Sequence, residues 1–459
     1  MPDLLTLTEP PAGLNRPQTP RCAHTHLLTE QAPILRRMRP LVHYAEAKGV
    51  PVHRMGVGCL KVNPPEAIIQ HVKETALRPE PYPQSYGEDK LLQALSQSLS
   101  RHLRQEIRPE DSIIVPGGLG AVFTALSLCT AVNDMVTIVR PSWPNTPLLA
   151  RFYGRRVTEI LTKPEDRWRL APFGTLNQQI PLDTRLLIIE RPSNPTGVGW
   201  SDAELGALET LLEARPELTI FADEEYFELC QGRPRSILEL KRERTLSGAG
   251  FSKNLALTSA RLGRLTTFDK NLKRLLIPWA NVWLGSNNLL GIQSAIAQAL
   301  NDPGPRGLDA YFEGINSYIN EARCQVRSIF SDHPHVTLLQ GEGAYYDVLL
   351  FKTPHIHSEQ VLLHRLLTSL EAIHAQAPGP TLGLPFTYVM PLRGFYGLTH
   401  RESVVDGFRL TLSLSGDTLT HALNTLSDMI HCYLDAGVPH YGSIEVVTSR
   451  ILGDQAERP

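Results

Sequence analysis

Apolar positions along this chain change their period several times. Over residues 88–105, Leu92, Leu95, Leu99 and Leu103 recur at three- and four-residue spacing, which predicts an amphipathic helix. The same spacing runs through 307–330, where Leu308, Phe312, Ile315, Ile319, Ala322, Val326 and Ile329 keep one face apolar. Between these helices the pattern switches to short, mainly apolar runs at 112–115, 135–139, 185–190 and 218–222. Runs of that length without polar alternation predict strands covered on both faces, as in a mainly parallel sheet. Helical stretches such as 201–214 separate them, so the expected units are βαβ and the expected fold class is a doubly wound α/β domain. After residue 330 the pattern predicts a smaller α+β unit, with strands near 336–339 and 345–351 and helices near 359–370 and 418–434. Residues 374–384, rich in proline, glycine and alanine, predict a surface loop. The expected division is an N-terminal arm with the start of a small domain (1–50), a large domain (51–305), a small C-terminal domain (306–436) and a tail (437–459). No internal repeat is visible.

Composition narrows the function classes. With 459 residues, 42% hydrophobic and 20% charged, the chain is long enough for two well-filled cores. A net charge of −2 with no basic block argues against a nucleic-acid or anionic-membrane partner, and no run of about 18 apolar residues predicts a membrane span. The six cysteines form no C-x-x-C pair, so neither a disulfide framework nor a metal site is expected. Without an apolar leader followed by a small-residue cleavage site, the expectation is a cytoplasmic enzyme for a small molecule.

The chemistry lies in a spaced series. Asn194-Pro195-Thr196-Gly197 is followed by Asp223-Glu224-Glu225-Tyr226, then Ser252-Lys253, and eight positions later by Arg261 and Gly263. An amine able to form a Schiff base, a carboxylate, a tyrosine and a fixed cation in that order suit pyridoxal 5'-phosphate (PLP), which needs an imine partner, an acidic partner for its ring nitrogen and donors for its phosphate. Asp223 ends the predicted strand 218–222, at the edge where α/β ligands bind; alone, it would equally serve as a helix N-cap. Pro116-Gly117-Gly118-Leu119-Gly120 follows another strand and opens an apolar helix, a setting for an anion, although glycine-rich turns of this kind are common.

With these motifs in this order, the chain resembles the fold-type I PLP enzymes of the class I/II aminotransferase family from about residue 52 to 434. The resemblance implies an aspartate aminotransferase-like large domain with a seven-stranded sheet, a smaller C-terminal domain, and a homodimer with shared active sites. It implies Lys253 as the Schiff-base lysine and proton carrier, Asp223 as partner of the ring nitrogen, and Asn194 and Tyr226 as donors to the ring oxygen. Gly118, Leu119, Gly120, Ser252 and Arg261 match phosphate-binding positions, and Trp143 matches an aromatic stacked on the ring. Tyr82, in Tyr82-x-x-x-x-Gly87, matches a tyrosine that reaches the partner subunit's phosphate. Arg409 matches the clamp on the substrate α-carboxylate, with Asn194, Trp143 and a backbone N–H at Gly58 beside it.

Four departures stand out. Gly250 replaces a phosphate-binding serine of many relatives, for which Ser247 or Ser252 could compensate. Residues 277–283 hold Trp279 and Trp283 and no arginine for a second carboxylate, which argues against aspartate as preferred substrate. Ser286-Asn287-Asn288 falls where a partner chain often reaches the phosphate, and 373–409 is longer than usual. The expected activity is transfer of an amino group between an amino acid and a 2-oxo acid. The alternative keeps cofactor and fold but has elimination, oxidation or cyclisation like that of aminocyclopropane carboxylate synthase or capreomycidine synthase, with S-adenosylmethionine as one candidate substrate.

Overall fold

The computed structural model describes residues 34–75, 82–285, 290–374, 384–396 and 406–452. In chain order, helix α1 (Ile34–Ala47) and strand β1 (Val52–Arg54) come first, then α2 (Glu66–Thr75) and α3 (Asp89–Leu103). The large sheet is built from β2 (Ser112–Val115), β3 (Met135–Arg140), β4 (Arg156–Leu161), β5 (Thr184–Glu190), β6 (Thr219–Asp223), β7 (Thr245–Gly250) and β8 (Gly263–Thr267). Interleaved are α4 (Gly117–Cys129), α5 (Asn145–Phe152), α6 (Phe173–Gln179), α7 (Asp202–Ala214) and the single turn α8 (Phe251–Asn254). Helices α9 (Lys270–Trp283), α10 (Leu290–Asn301) and α11 (Leu308–Phe330) lead to β9 (Val336–Gln340), β10 (Tyr346–Phe351) and α12 (Ser358–His374). The chain ends with β11 (Phe386–Tyr388), β12 (Met390–Pro391), β13 (Gly407–Thr411), α13 (Gly416–Asp435) and α14 (Ile444–Leu452).

Strand order in the large sheet is β2-β8-β7-β6-β5-β3-β4, parallel throughout except β8, which runs antiparallel to both its neighbours. The sheet is apolar on both faces because helices cover both. Ile189, Ile220 and Ala222 pack under Leu205, Leu208 and Leu211 of α7, while Val136, Ile188 and Leu246 meet Val122, Ala125 and Leu126 of α4. Ser201 caps α7 by accepting from the Glu204 backbone N–H, a capping box that sets where this helix starts. The parallel strands all deliver their carboxyl ends to one edge, and Glu190, Asp223 and Gly250 are the last residues of their strands there.

The second layer is the antiparallel sheet β12-β13-β10-β9 covered by α11, α12 and α13, with Phe330, Leu349, Phe408, Leu423 and Ile430 in its core. Met38, Leu41 and Val42 of α1 are buried in that same core, so part of the segment read as an arm is a helix of the smaller unit. The short β1 pairs in parallel with β11 and ties residues 52–54 to the smaller unit as well. Further elements lay outside the sequence pattern, among them β4, β7, the antiparallel β8, too mixed in polarity to read as a buried strand, helices α9 and α10, and α14 in the tail. Of the loop expected at 374–384, residues 375–383 lie outside the described ones.

Candidate active site

Site residues converge because three loops leave the same sheet edge and meet the smaller unit there. A cavity of about 420 Å³ is lined by Gly58, Gly118, Leu119, Trp143, Glu190, Asn194, Asp223, Glu225, Tyr226, Ser252, Lys253, Arg261, Tyr346, Phe395 and Arg409, among others. A larger hollow of about 620 Å³ is a surface furrow beside α11 lined by Cys230, Asn316 and Arg323. Volume therefore does not mark the site; the convergence of buried ionisable groups does.

Lys253 sits in the turn α8 directly after β7, and its Nζ donates to the Gly58 carbonyl at 2.8 Å. Burial, opposed mainly by the Glu225 charge, holds its pKa below the ordinary lysine value. A lysine in that state loses its proton at lower cost, as a nucleophile or proton carrier must. The Gly58 oxygen also accepts from the Tyr345 hydroxyl at 3.1 Å, so the structure uses its carbonyl.

Asp223 is the last residue of β6 and pairs in register with Glu190 of β5. Burial, then the charges of Glu190 and Glu225, push its carboxyl well above the usual range. Glu190 is itself pushed up to about 7 by burial, even though it accepts from the backbone N–H groups of Trp143 (2.9 Å) and Asn194 (3.1 Å). Along Asp223–Tyr226 the side chains divide. Glu224 turns into the core, bonded to Trp200, Ser236, Ser247 and the Ile237 N–H, whereas Asp223, Glu225 and Tyr226 face the cavity. Tyr226 shares a 2.8 Å hydroxyl contact with Tyr346 from β10, and burial raises both pKa values.

Arg409 of β13 is 3% exposed and lies over the rings of Tyr346 (4.4 Å) and Phe395 (5.3 Å). Its Nη1 donates to Asn194 Oδ1 at 2.9 Å and its Nη2 to the Gly56 carbonyl and to Thr411 Oγ1 at 3.2 Å. Its Nε is buried with no protein partner. An immobilised guanidinium in the wall of this cavity is a receptor for a carboxylate.

At the opposite wall, α4 begins with no side chain capping its N-terminus. Gly117 has φ +69°, and a Cβ there would stand 2.8 Å from Arg261 Nη2, so the glycine lets the guanidinium lie against the helix start. Arg261 Nη1 donates to Ser252 Oγ at 3.2 Å and to the Thr258 carbonyl at 3.0 Å. Open helix amides, a fixed guanidinium and a hydroxyl form a donor set that fits a phosphate.

Several expectations meet a different placement. Gly120 is buried in α4 behind the cavity wall and does not line it. Tyr82, expected at a partner subunit's phosphate, is 93% exposed and lies outside its own chain's cavity, a placement that does not conflict with that expectation. Ser247 cannot stand in for a hydroxyl at 250, because it is buried against Glu224 and Arg264. Trp279 and Trp283 do not occupy a substrate position in this chain's cavity: they stack on each other and on Phe123 of α4. Ser286, Asn287 and Asn288 lie outside the described residues. Glu190, Glu225, Tyr346, Met390 and Phe395 were not anticipated; only the acidic doublet beside Asp223 hinted at one of them.

The aminotransferase class I and II family matches this chain over residues 51–381. The chain belongs to that family. It is 29% identical over 236 residues to the aspartate/prephenate aminotransferase of Thermus thermophilus, spanning 49% of this chain and 61% of that enzyme. It is 26% identical over 376 residues to the probable aspartate/prephenate aminotransferase of Aquifex aeolicus, spanning 79% of this chain and 91% of that one. Among solved structures, the aspartate aminotransferase from Thermus thermophilus with maleate superposes with a TM-score of 0.73 at 20% identity, covering 88% of this chain and 98% of that one. The aromatic aminotransferase from Pyrococcus horikoshii gives 0.72 at 20% identity, covering 87% and 100%. The aspartate aminotransferase-like fold expected from the motifs is thus the fold observed, and the family's cofactor is PLP.

Proposed function

We propose that this protein is a PLP-dependent aminotransferase that moves an amino group between an amino acid and a 2-oxo acid. The observation that carries it is the meeting of Lys253, Asp223 and Arg409, from three separate elements, around one cavity. When bound, PLP supplies a pyridine ring that delocalises the electron pair left by a breaking Cα–H bond.

The chain's residues divide the remaining work. Arg261, Ser252 and the amides opening α4 hold the phosphate. Asp223 would face the ring nitrogen and hold a proton there; a cationic ring beside it would favour its charged form over the neutral one that burial and Glu190 favour in its absence. Asn194 and Tyr226 bond the ring oxygen, while Trp143 covers one ring face. Arg409, steadied by Asn194, binds the substrate α-carboxylate and so directs the Cα–H toward Lys253. The Lys253 Nζ then takes the Cα proton and returns it on the other side of the reaction; its lowered pKa reduces the cost of giving up its own proton. Val57, Met390 and Phe395 make the remaining wall apolar, and among the described residues Lys253, Arg261 and Arg409 are the lining cations, so an uncharged substrate side chain is favoured. Relatives named as aminotransferases favour this reaction over elimination or cyclisation.

A homodimer belongs to the same reading, as does a cytoplasmic location. Tyr82 projects fully into solvent, and α9 exposes Leu275, Ile277 and Val282 in the same chain. The deciding experiment is a half-reaction. PLP-loaded protein given a single amino acid releases one equivalent of 2-oxo acid per site, and sustained turnover begins only when a second 2-oxo acid is added. Release of ammonia, or of a cyclised product, in place of the 2-oxo acid would refute transamination.

A further inference from the structure

The phosphate cradle already contains an anion of the protein's own. Glu225 carries its carboxyl group into the space between α4 and β7, where a Cβ on Gly118 would lie 2.3 Å from Oε2. A Cβ on Gly250 would lie 2.4 Å from Oε2 and 2.6 Å from Oε1. No side chain can stand at either position with Glu225 where it is. The absence of a side chain at 250, which deprives the cradle of a hydroxyl, and the presence of Glu225 are therefore one feature. The Gly250 backbone N–H donates to this carboxyl group, while Oε2 is buried with no partner of its own.

We propose that Glu225 takes the place of the missing hydroxyl at 250, donating a hydrogen bond to the cofactor phosphate as a protonated acid, so that PLP loading is coupled to uptake of one proton. An ionised carboxylate cannot share this cradle with a phosphate: both are acceptors, and two anions a few ångströms apart repel strongly in a buried site. A neutral carboxyl group has an O–H to offer a phosphate oxygen. The proton comes from solvent on loading and returns to it on release, and no other bond changes.

The surroundings hold Glu225 near the point of protonation. Lys253 in α8 and Arg261 before β8 favour its charge; Glu228, Asp223 at the end of β6 and Glu190 at the end of β5 disfavour it, and Tyr345 before β10 also faces it. Burial leads, and the net result is a carboxyl pushed up to about 7. An arriving phosphate raises it further. Above pH 7, loading must then draw a proton that the free protein does not carry.

The inference rests on the cofactor reading but not on the reaction catalysed, and its test is binding. Apo-protein is titrated with PLP, and separately with pyridoxal, from pH 6 to pH 9, following the change in cofactor absorbance. Wild-type affinity for PLP falls with pH above 7 by up to about tenfold per unit, the limit for one linked proton. Pyridoxal, lacking phosphate, shows a shallower fall. Glu225→Gln, which keeps a donor N–H and cannot ionise, removes the extra slope and binds PLP more tightly than wild type at pH 9. Calorimetry in two buffers of different ionisation enthalpy shows wild type taking up close to one more proton than the variant. The double variant Gly250→Ser/Glu225→Val, which returns a hydroxyl to the cradle, repeats the flat profile. Identical PLP slopes in wild type and both variants would overturn the role of Glu225 while leaving the cofactor in place. Failure of the wild type to bind PLP at any pH would remove the cofactor reading itself.

Discussion

Replacing Arg409 by lysine tests the carboxylate clamp with the least disturbance of charge. In the native site the guanidinium is held by the Asn194 side chain, the Gly56 carbonyl and Thr411, and is sandwiched against Tyr346 and Phe395. Those contacts use both Nη2 hydrogens and one on Nη1; the second Nη1 hydrogen and the Nε–H, which has no protein partner, remain to meet a carboxylate. Lysine keeps the positive charge but offers a single flexible ammonium, so one charged hydrogen bond to substrate is lost. Such a bond contributes about 1.5–3 kcal/mol. At about 1.4 kcal/mol per factor of ten, kcat/KM for an amino acid should fall roughly ten- to 150-fold. The assay is steady-state transamination with an amino acid, beside the matching amine that lacks the carboxylate, with PLP affinity measured in parallel. Arg409→Lys should leave PLP affinity and the slow amine reaction within about threefold of wild type, since a loss below about 0.7 kcal/mol marks no lost bond. An equal drop for amino acid and amine would show that Arg409 supports the cavity wall without binding the carboxylate, and the assignment would be wrong.

Further predictions concern the ring partner, a buried ion pair and a domain contact. Asp223→Asn keeps the shape but cannot hold a charge opposite the ring nitrogen; kcat should fall by about 10²–10⁴ while PLP stays bound, and an unchanged kcat would exclude the role. Glu204 is bonded to Arg169, Arg191, the Leu170 N–H and Ser201, and, burial notwithstanding, Arg191 first among these holds its pKa down to about 2. Its folded pKa lies below the ordinary 4.5, so its contribution is fully present above pH 4.5 and lost as pH falls toward 2. That shift corresponds to roughly 3 kcal/mol, so Glu204→Gln should lower unfolding stability by about that amount at pH 7 and by a little under half of it at pH 3, as read from urea midpoints. Gly197 has φ +68°, and a Cβ there would meet the Gly341 Cα at 2.7 Å and the Tyr346 carbonyl at 2.8 Å. Backbone atoms cannot swing aside, so Gly197→Ala should cost about 2 kcal/mol or more and weaken substrate binding through β10; a midpoint equal to wild type would contradict this contact.

How much could be read without coordinates depended on range. Strands β3, β5 and β6 were legible because helices cover both sheet faces, which demands unbroken apolar runs such as Leu186-Leu187-Ile188-Ile189. Lys253, Asp223, Asn194 and Arg261 were legible because each is set by a short motif at a strand end, where local spacing determines placement. Strand β8 was not, since Arg264, Thr266 and Thr267 are buried there through bonds to Ser247, Ser112 and the Thr245 carbonyl, and composition shows no such partners. The packing of the α9 tryptophans on Phe123 was not readable for a related reason: a sequence shows that a large ring must be covered but not by what.

The order of chemical groups along the chain was therefore enough to select the fold class and the cofactor, and to pick out Lys253, Asp223 and Asn194 as lining of one cavity, because each motif depends on neighbours within a few residues. What lies across the cavity needed the folded structure. That Tyr346 meets Tyr226, that Arg409 is locked by Asn194, and that Glu225 fills the space left open by Gly118 and Gly250 are contacts between residues that are mostly far apart in sequence. Such contacts are made when the two sheets pack together, and no local pattern encodes the distances between them.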